Sequence, residues 1–171
     1  MRVLVVDDDA FVRVILGIEL PEVELIEAVG LTDGYELALA HQPDGIIVDL
    51  RLQDGDGLVL VQKLRRSTTT SRIPILVLTA GHDEAHREEV LRAGADEYVA
   101  KPFQPAELVD RLAQVLLLPE TERSHRRRKH VQRLHEGTWV DDHSLDDGTV
   151  IGLDDEREAV GAERRSRWWR R

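Results

Sequence analysis

Five times between residues 3 and 118 a short apolar run is followed by a stretch with helical spacing. That alternation constrains the fold more than any other feature of the chain. The apolar runs are 3–6, 23–29, 45–50, 73–78 and 96–100. After the first, Phe11, Val14, Ile15 and Ile18 recur at i, i+3, i+4 and i+7, which predicts one buried helix face ended by Pro21. A second helix starts at Thr32-Asp33, carries Tyr35, Leu37, Ala38 and Leu39, and stops before Pro43. Leu58, Val61 and Leu64 give a third its stripe, and Val90 and Leu91 anchor a polar fourth over 83–93, with Gly94 as its C-terminal cap. The last starts at Pro105, a favoured first-turn residue, and turns Leu108, Leu112, Val115 and Leu116 inward. Strict strand–helix alternation implies an α/β fold, a doubly wound parallel sheet with right-handed crossovers and helices on both faces.

In such a sheet every strand ends on the same edge, and ligands bind there. The central run, Gly45 to Leu50, is apolar until Asp49, and a strand covered on both faces has no packing use for a carboxylate. The other strand ends bring Asp7, Asp8, Asp9, Thr79 and Lys101 to that edge. Each residue has a structural reading: Asp9 as the helix N-cap, Asp49 as a loop cap, Thr79 as a turn residue, Lys101 as a solvated charge. Together those readings fail, because independent strand ends deliver complementary groups to one place. Clustered carboxylates repel unless a cation joins them, and oxygen-only donors suit Mg²⁺. Lys101, the Thr79 hydroxyl and the Ala80 backbone N–H complete a phosphate-sized pocket. The chemistry implied is nucleophilic: Asp49 attacks phosphorus to give an aspartyl phosphate.

Composition narrows the alternatives. There is no cysteine, so disulfides, thiolate metal sites and cysteine nucleophiles are excluded. No apolar run approaches the ~20 residues of a membrane helix, and Met1-Arg2 leads into a strand without a signal-peptide pattern, so a cytoplasmic protein is expected. Residues 1–119 hold 11 Lys/Arg against 21 Asp/Glu, a net of −10, whereas residues 120–171 hold 12 of each. All six prolines lie in the first part and all three tryptophans in the second, which places a boundary near Pro119. The acidic first part is unsuited to direct DNA contact.

The motifs Val-Val-Asp-Asp-Asp (5–9), Val-Asp-Leu-Arg-Leu-Gln-Asp-Gly-Asp-Gly (48–57), Leu-Thr-Ala (78–80) and Tyr-Val-Ala-Lys-Pro-Phe (98–103) resemble, in order and spacing, the receiver domain of two-component response regulators, the CheY-like superfamily. The resemblance covers residues 1–118 and implies strand order 2-1-3-4-5. It makes Asp49 the phosphoacceptor, with Asp8 and Asp49 as side-chain Mg²⁺ ligands, Arg51 a ligand through its backbone carbonyl, and Asp7 acting through water. It assigns the phosphoryl group to Thr79, Ala80 and Lys101, makes the Lys101-Pro102 peptide cis, and makes Thr79 and Tyr98 a switch pair. Leu52-Gln53 departs from the usual Met-Pro. Arg51 and Gly81 occupy positions that tune phosphoaspartate lifetime in the family.

Arg87, Glu97, Glu107 and Arg111 match charged positions through which OmpR/PhoB-type receivers dimerise. Arg87 would pair with Glu107, and Glu97 with Arg111, across a two-fold axis; Leu118 stands where a third pair needs a cation. A weak homodimer is the expectation. Residues 119–171 read as a charged extension, partly helical or disordered, with Val131 and Leu134 as sparse apolar positions in 120–135. An acidic, turn-rich stretch (137–161) and an arginine-rich end with Trp168-Trp169 follow. These 53 residues are too few for a winged-helix output domain. A faint PilZ-like pattern at Asp142, His143, Ser144 and Gly148 is rejected on spacing. The function expected is a response regulator, not an enzyme, that takes phosphoryl from a sensor histidine kinase or phosphotransfer protein and acts through protein contacts. The alternatives are a transcription regulator binding DNA through Arg126–Lys129 and the terminal arginines, and a phosphate sink without output. No membrane partner is expected.

Overall fold

The computed structural model describes residues 1–80 and 84–136. Five strands, β1 (Arg2–Val6), β2 (Glu24–Ala28), β3 (Gly45–Asp49), β4 (Ile75–Thr79) and β5 (Glu97–Ala100), form one sheet. All pairings are parallel and the order is 2-1-3-4-5, as the resemblance implied. Strands β3 and β4 are buried at every residue, as strands covered by helices on both faces are. Five helices alternate with the strands: α1 (Ala10–Glu19), α2 (Leu31–His41), α3 (Gly57–Arg66), α4 (Glu84–Ala93) and α5 (Pro105–Leu117). A sixth, α6 (Glu120–Glu136), follows α5 after Leu118-Pro119, so the compact unit built on the sheet runs on to Gly137.

Local chemistry sets the helix starts. Asp9 caps α1 by accepting from the Phe11 N–H at 2.9 Å, and Asp56 caps α3 by accepting from Leu58 N–H at 2.9 Å. Helix α2 has Gly30 at its N-cap and no cap side chain of its own. Asp54, from the loop after β3, supplies one: its carboxylate accepts from Leu31 N–H at 2.8 and 3.1 Å. The segment after Asp49 contains an antiparallel ribbon pairing Arg51–Leu52 with Gly55–Asp56. Gly57 is required there: a Cβ would lie 2.1 Å from the Asp49 carbonyl oxygen, so only glycine lets α3 start against β3.

One predicted face is wrong. Helix α1 buries Val12 and Leu16, with Leu20 just past its end, while Phe11, Val14 and Ile18 are exposed. The helix is apolar almost all round, so periodicity does not select a face. The Asp9 cap and the neighbouring α5 do, because they set its rotation. Leu58, Val61 and Leu64 of α3, Val90 and Leu91 of α4, and Leu108, Leu112 and Val115 of α5 are all buried, with Leu116 half-buried; of the α2 positions Ala38 is buried and Tyr35, Leu37 and Leu39 are half-buried. Gly94 follows α4 at φ 109°. Gly81, the Val131 and Leu134 side chains, and the stretches noted beyond residue 136 lie outside the described residues.

Candidate phosphoacceptor site

The carboxyl edge of the sheet gathers the residues that the sequence singled out. β1 ends at Val6, so Asp7 and Asp8 sit at its tip; Asp49 is the last residue of β3, Thr79 of β4, and Lys101 follows β5. One carboxylate oxygen each from Asp7, Asp8 and Asp49 lies within 4.8 Å of the others. Asp7 is fully buried and Asp49 nearly so, while Asp8 is half-buried. Thr79 is buried, and its carbonyl accepts from the Lys101 N–H at 2.6 Å, which fixes the start of the lysine loop to the end of β4. The Lys101-Pro102 peptide is cis.

Lys101 is the hinge of the electrostatics. Its Nζ donates to Asp49 Oδ2 at 2.6 Å and to Asp7 Oδ2 at 3.1 Å. Burial alone would disfavour the ammonium, but the hydrogen bonds and charges of Asp49 and Asp7 outweigh it and hold the Lys101 pKa above its ordinary value. Asp7 moves up because burial disfavours its charge more than the Asp9 N–H and Lys101 favour it. One ammonium serving two carboxylates, beside a third, leaves a negative surplus in a low-dielectric pocket. An all-oxygen donor set with that surplus fits a hard divalent cation such as Mg²⁺. The Asp49 Oδ1 accepts from the Arg51 N–H at 3.1 Å, and Arg51 pairs with Asp56 in the ribbon, so the backbone beyond Asp49 is held in place. Ala80 is exposed at the end of β4.

Sequence reading missed the supports. Arg13 of α1 donates from Nη1 to the Asp7 carbonyl at 2.6 Å and pairs through Nε with Glu27 of β2 at 2.6 Å. Asp54 ties the loop beyond Asp49 to α2. Nothing in the local pattern marks Arg13, whereas Asp56-Gly57 ahead of an apolar stripe is a cap signal that the reading did not use.

Tyr98 on β5 packs partly buried against the core, with the Arg87 guanidinium 4.9 Å from its ring centroid. Glu97, read as an intermolecular partner of Arg111, pairs with Arg111 of the same chain at 3.7 Å. Glu107 is exposed in the first turn of α5. No helix among the described residues is long and apolar enough to cross a membrane.

The family model for the response regulator receiver domain matches residues 3–113. Among curated proteins, the phosphate regulon transcriptional regulatory protein PhoB of Pseudomonas aeruginosa is 37% identical over 116 residues, 67% of this chain and 51% of that one. The DNA-binding dual master transcriptional regulator RpaA of Synechocystis is 36% identical over 138 residues, 80% of this chain and 56% of that one. The chain thus spans about half the length of these curated relatives. Among solved structures, a putative response regulator from Chloroflexus aurantiacus superposes with TM-score 0.64 at 34% identity, covering 68% of this chain and 98% of that one. The receiver domain of the sensor histidine kinase PA1611 from P. aeruginosa, solved with a magnesium ion coordinated in its active site cleft, gives TM-score 0.61 at 28% identity over 67% of this chain and 96% of that one.

Proposed function

Because this chain belongs to the response regulator receiver family, we propose that it is a cytoplasmic two-component switch that takes a phosphoryl group on Asp49. The observation that carries the reading is the position of the Asp49 carboxylate: at the tip of a fully buried strand, 2.6 Å from the Lys101 ammonium and grouped with Asp7 and Asp8. An Asp49 oxygen attacks the phosphorus of a phosphohistidine in a sensor kinase or phosphotransfer protein. The new O–P bond forms as the donor P–N bond breaks, and the imidazole leaves with the electron pair. Lys101 holds the incoming phosphoryl oxygens by charge, and the Thr79 hydroxyl and Ala80 N–H donate to them. Asp8, Asp49 and the Arg51 carbonyl would hold Mg²⁺, with Asp7 reaching it through water; the ion would neutralise the oxygens of the transferred group. The chain promotes its own phosphorylation and dephosphorylation and is not otherwise an enzyme.

The output is a population shift. Thr79 closes on the phosphoryl oxygens and Tyr98 turns further inward, which alters the surface made by α4, β5 and α5. Arg87, Glu97, Glu107 and Arg111 lie on those elements, and the altered surface favours a weak homodimer. Exchange of the internal Glu97–Arg111 pair for intermolecular pairs would set orientation more than affinity, since exposed pairs contribute only ~0–1 kcal/mol each. A second reading, control of transcription through DNA, is favoured by what the curated relatives are and by the exposed Arg126, Arg128 and Lys129 of α6.

The test is incubation with acetyl phosphate and intact-mass measurement, with Mg²⁺ or with EDTA. A mass gain of one phosphoryl group that requires Mg²⁺ and vanishes in Asp49→Asn is expected. An unmodified wild-type chain after prolonged incubation with Mg²⁺ would end the proposal.

A further inference from the structure

Helix α6 makes a contact that the phosphoacceptor reading leaves unused. Arg123 and Arg127, four residues apart, share one face of α6, and both reach Asp96, the residue before β5. The Asp96 side chain is 2% exposed, and its two oxygens serve different parts of the chain. Oδ2 accepts from Ile75 N–H at 2.8 Å and from Arg65 Nη2 at 2.7 Å, both within the family-matched region. Oδ1 accepts from Arg127 Nη1 and lies 3.7 Å from Arg123 Nε, both on α6. Arg123 is buried, and its remaining nitrogens donate to the Leu118 carbonyl and, at 2.6 Å, to the Arg72 carbonyl. Glu120 holds Ser124 and Arg127 from the first turn, and α6 lies against α4.

Three guanidiniums therefore share one buried carboxylate. The surplus shows on Arg65, whose pKa is pushed down to about 10, by burial first and then by Arg127 and Arg123, against the pull of Asp96. Arg123 Nε is buried with no hydrogen-bond partner of its own. The contact is held by charge and by the Leu118 and Arg72 carbonyls, with Glu120 offsetting part of the positive surplus. Helix α6 also lies against α4, and α4 is the helix whose Arg87 lies over Tyr98. Helix α4 thus touches both Tyr98 and α6.

We propose that α6 is a reversible clasp on α4, anchored at Asp96, which when docked opposes pairing of α4 with a second copy of the chain. The inference rests on the reading of α4, β5 and α5 as the output surface. Coupling of the two events is reciprocal: whatever phosphorylation does to the clasp, release of the clasp does to phosphoryl-analogue binding by the same factor.

The test uses the full chain, with hydrogen exchange of the α6 amides and sedimentation velocity as readouts. Arg123→Ala/Arg127→Ala removes both α6 cations while leaving Arg65 on Asp96. Amide exchange in β1 to β5 is the check that the receiver stays folded, and Arg127→Lys alone is the milder variant if it does not. In the wild type the α6 amides are expected to exchange at least tenfold more slowly than in the double variant, and the double variant is expected to dimerise at lower concentration. Beryllofluoride with Mg²⁺ is expected to speed α6 exchange in the wild type severalfold. Wild-type α6 amides that exchange at the rate of an unstructured peptide, or a double variant with freed α6 and unchanged self-association, would overturn the clasp. If Asp49 takes no phosphoryl group, only the beryllofluoride arm goes flat, so the two proposals fail separately.

Discussion

Replacing Lys101 by Met should expose how much of this fold depends on one ammonium. Met keeps the apolar stem and removes the donor that lies 2.6 Å from Asp49 and 3.1 Å from Asp7. Both carboxylates then face each other, and Asp8, without a counter-ion, and neither can relax into water, since their side chains are 8% and 0% exposed. Breaking a buried pair by removing one partner costs ~3–5 kcal/mol. Lys101 is 26% exposed, so solvent screening lowers that figure. An independent ceiling exists, because a carboxylate in trouble takes up a proton. Protonating a group of ordinary pKa 3.8 at pH 7 costs about 4.4 kcal/mol, at about 1.36 per pH unit, and a single shared proton relieves the repulsion. At pH 5 the ceiling drops to about 1.6 kcal/mol by the same arithmetic. The metal-free variant should therefore be less stable than wild type by ~2–4 kcal/mol at pH 7 and by under ~2 at pH 5. The sign agrees with linkage: a carboxylate with a raised folded pKa is a cost fully present above that pKa, and the cost fades as pH falls through it. Urea unfolding in EDTA measures the difference, followed by far-UV circular dichroism because all three tryptophans lie beyond residue 136. Mg²⁺ should return part of the loss. A variant within ~0.5 kcal/mol of wild type at pH 7, the ordinary scatter of surface substitutions, or a deficit equal at both pH values, would refute the electrostatic account.

Asp7→Asn should stabilise the metal-free protein at pH 7, because it removes a buried charge whose pKa is raised by burial. The gain should shrink as pH falls toward 3.8 and reverse with Mg²⁺, which thermal unfolding with and without the ion would show. Gly57→Ala places a Cβ 2.1 Å from the Asp49 carbonyl oxygen, so it should cost ~3 kcal/mol, the upper end for overpacking, and slow acetyl-phosphate labelling of Asp49. Arg65→Met strips Asp96 and the Gly94 and Ile73 carbonyls of a buried donor. Its cost should be ~3 kcal/mol, at the low end for a broken buried pair, since Arg123 and Arg127 still serve Asp96; urea titration measures it.

What the sequence determined by itself was everything carried by local periodicity and by position at strand ends. Apolar runs buried on both faces imply parallel strands, parallel strands end on one edge, and so Asp7, Asp8, Asp49, Thr79 and Lys101 had to be neighbours although up to 94 residues separate them. Strand order was legible only through resemblance to a family, and the roles expected of Tyr98 and Arg51 rest on the same resemblance. Tertiary structure alone decided which face of α1 is buried, because a helix apolar all round offers no periodic cue and its rotation is set by its cap and its neighbours. It alone decided that Asp54 caps a helix 23 residues upstream and that Arg13 braces the Asp7 backbone. It also joined Asp96 to cations on two separate helices. A charged residue carries no label for the partner it will meet. That partner is chosen by which buried oxygens and nitrogens remain unsatisfied once the sheet and its helices have packed.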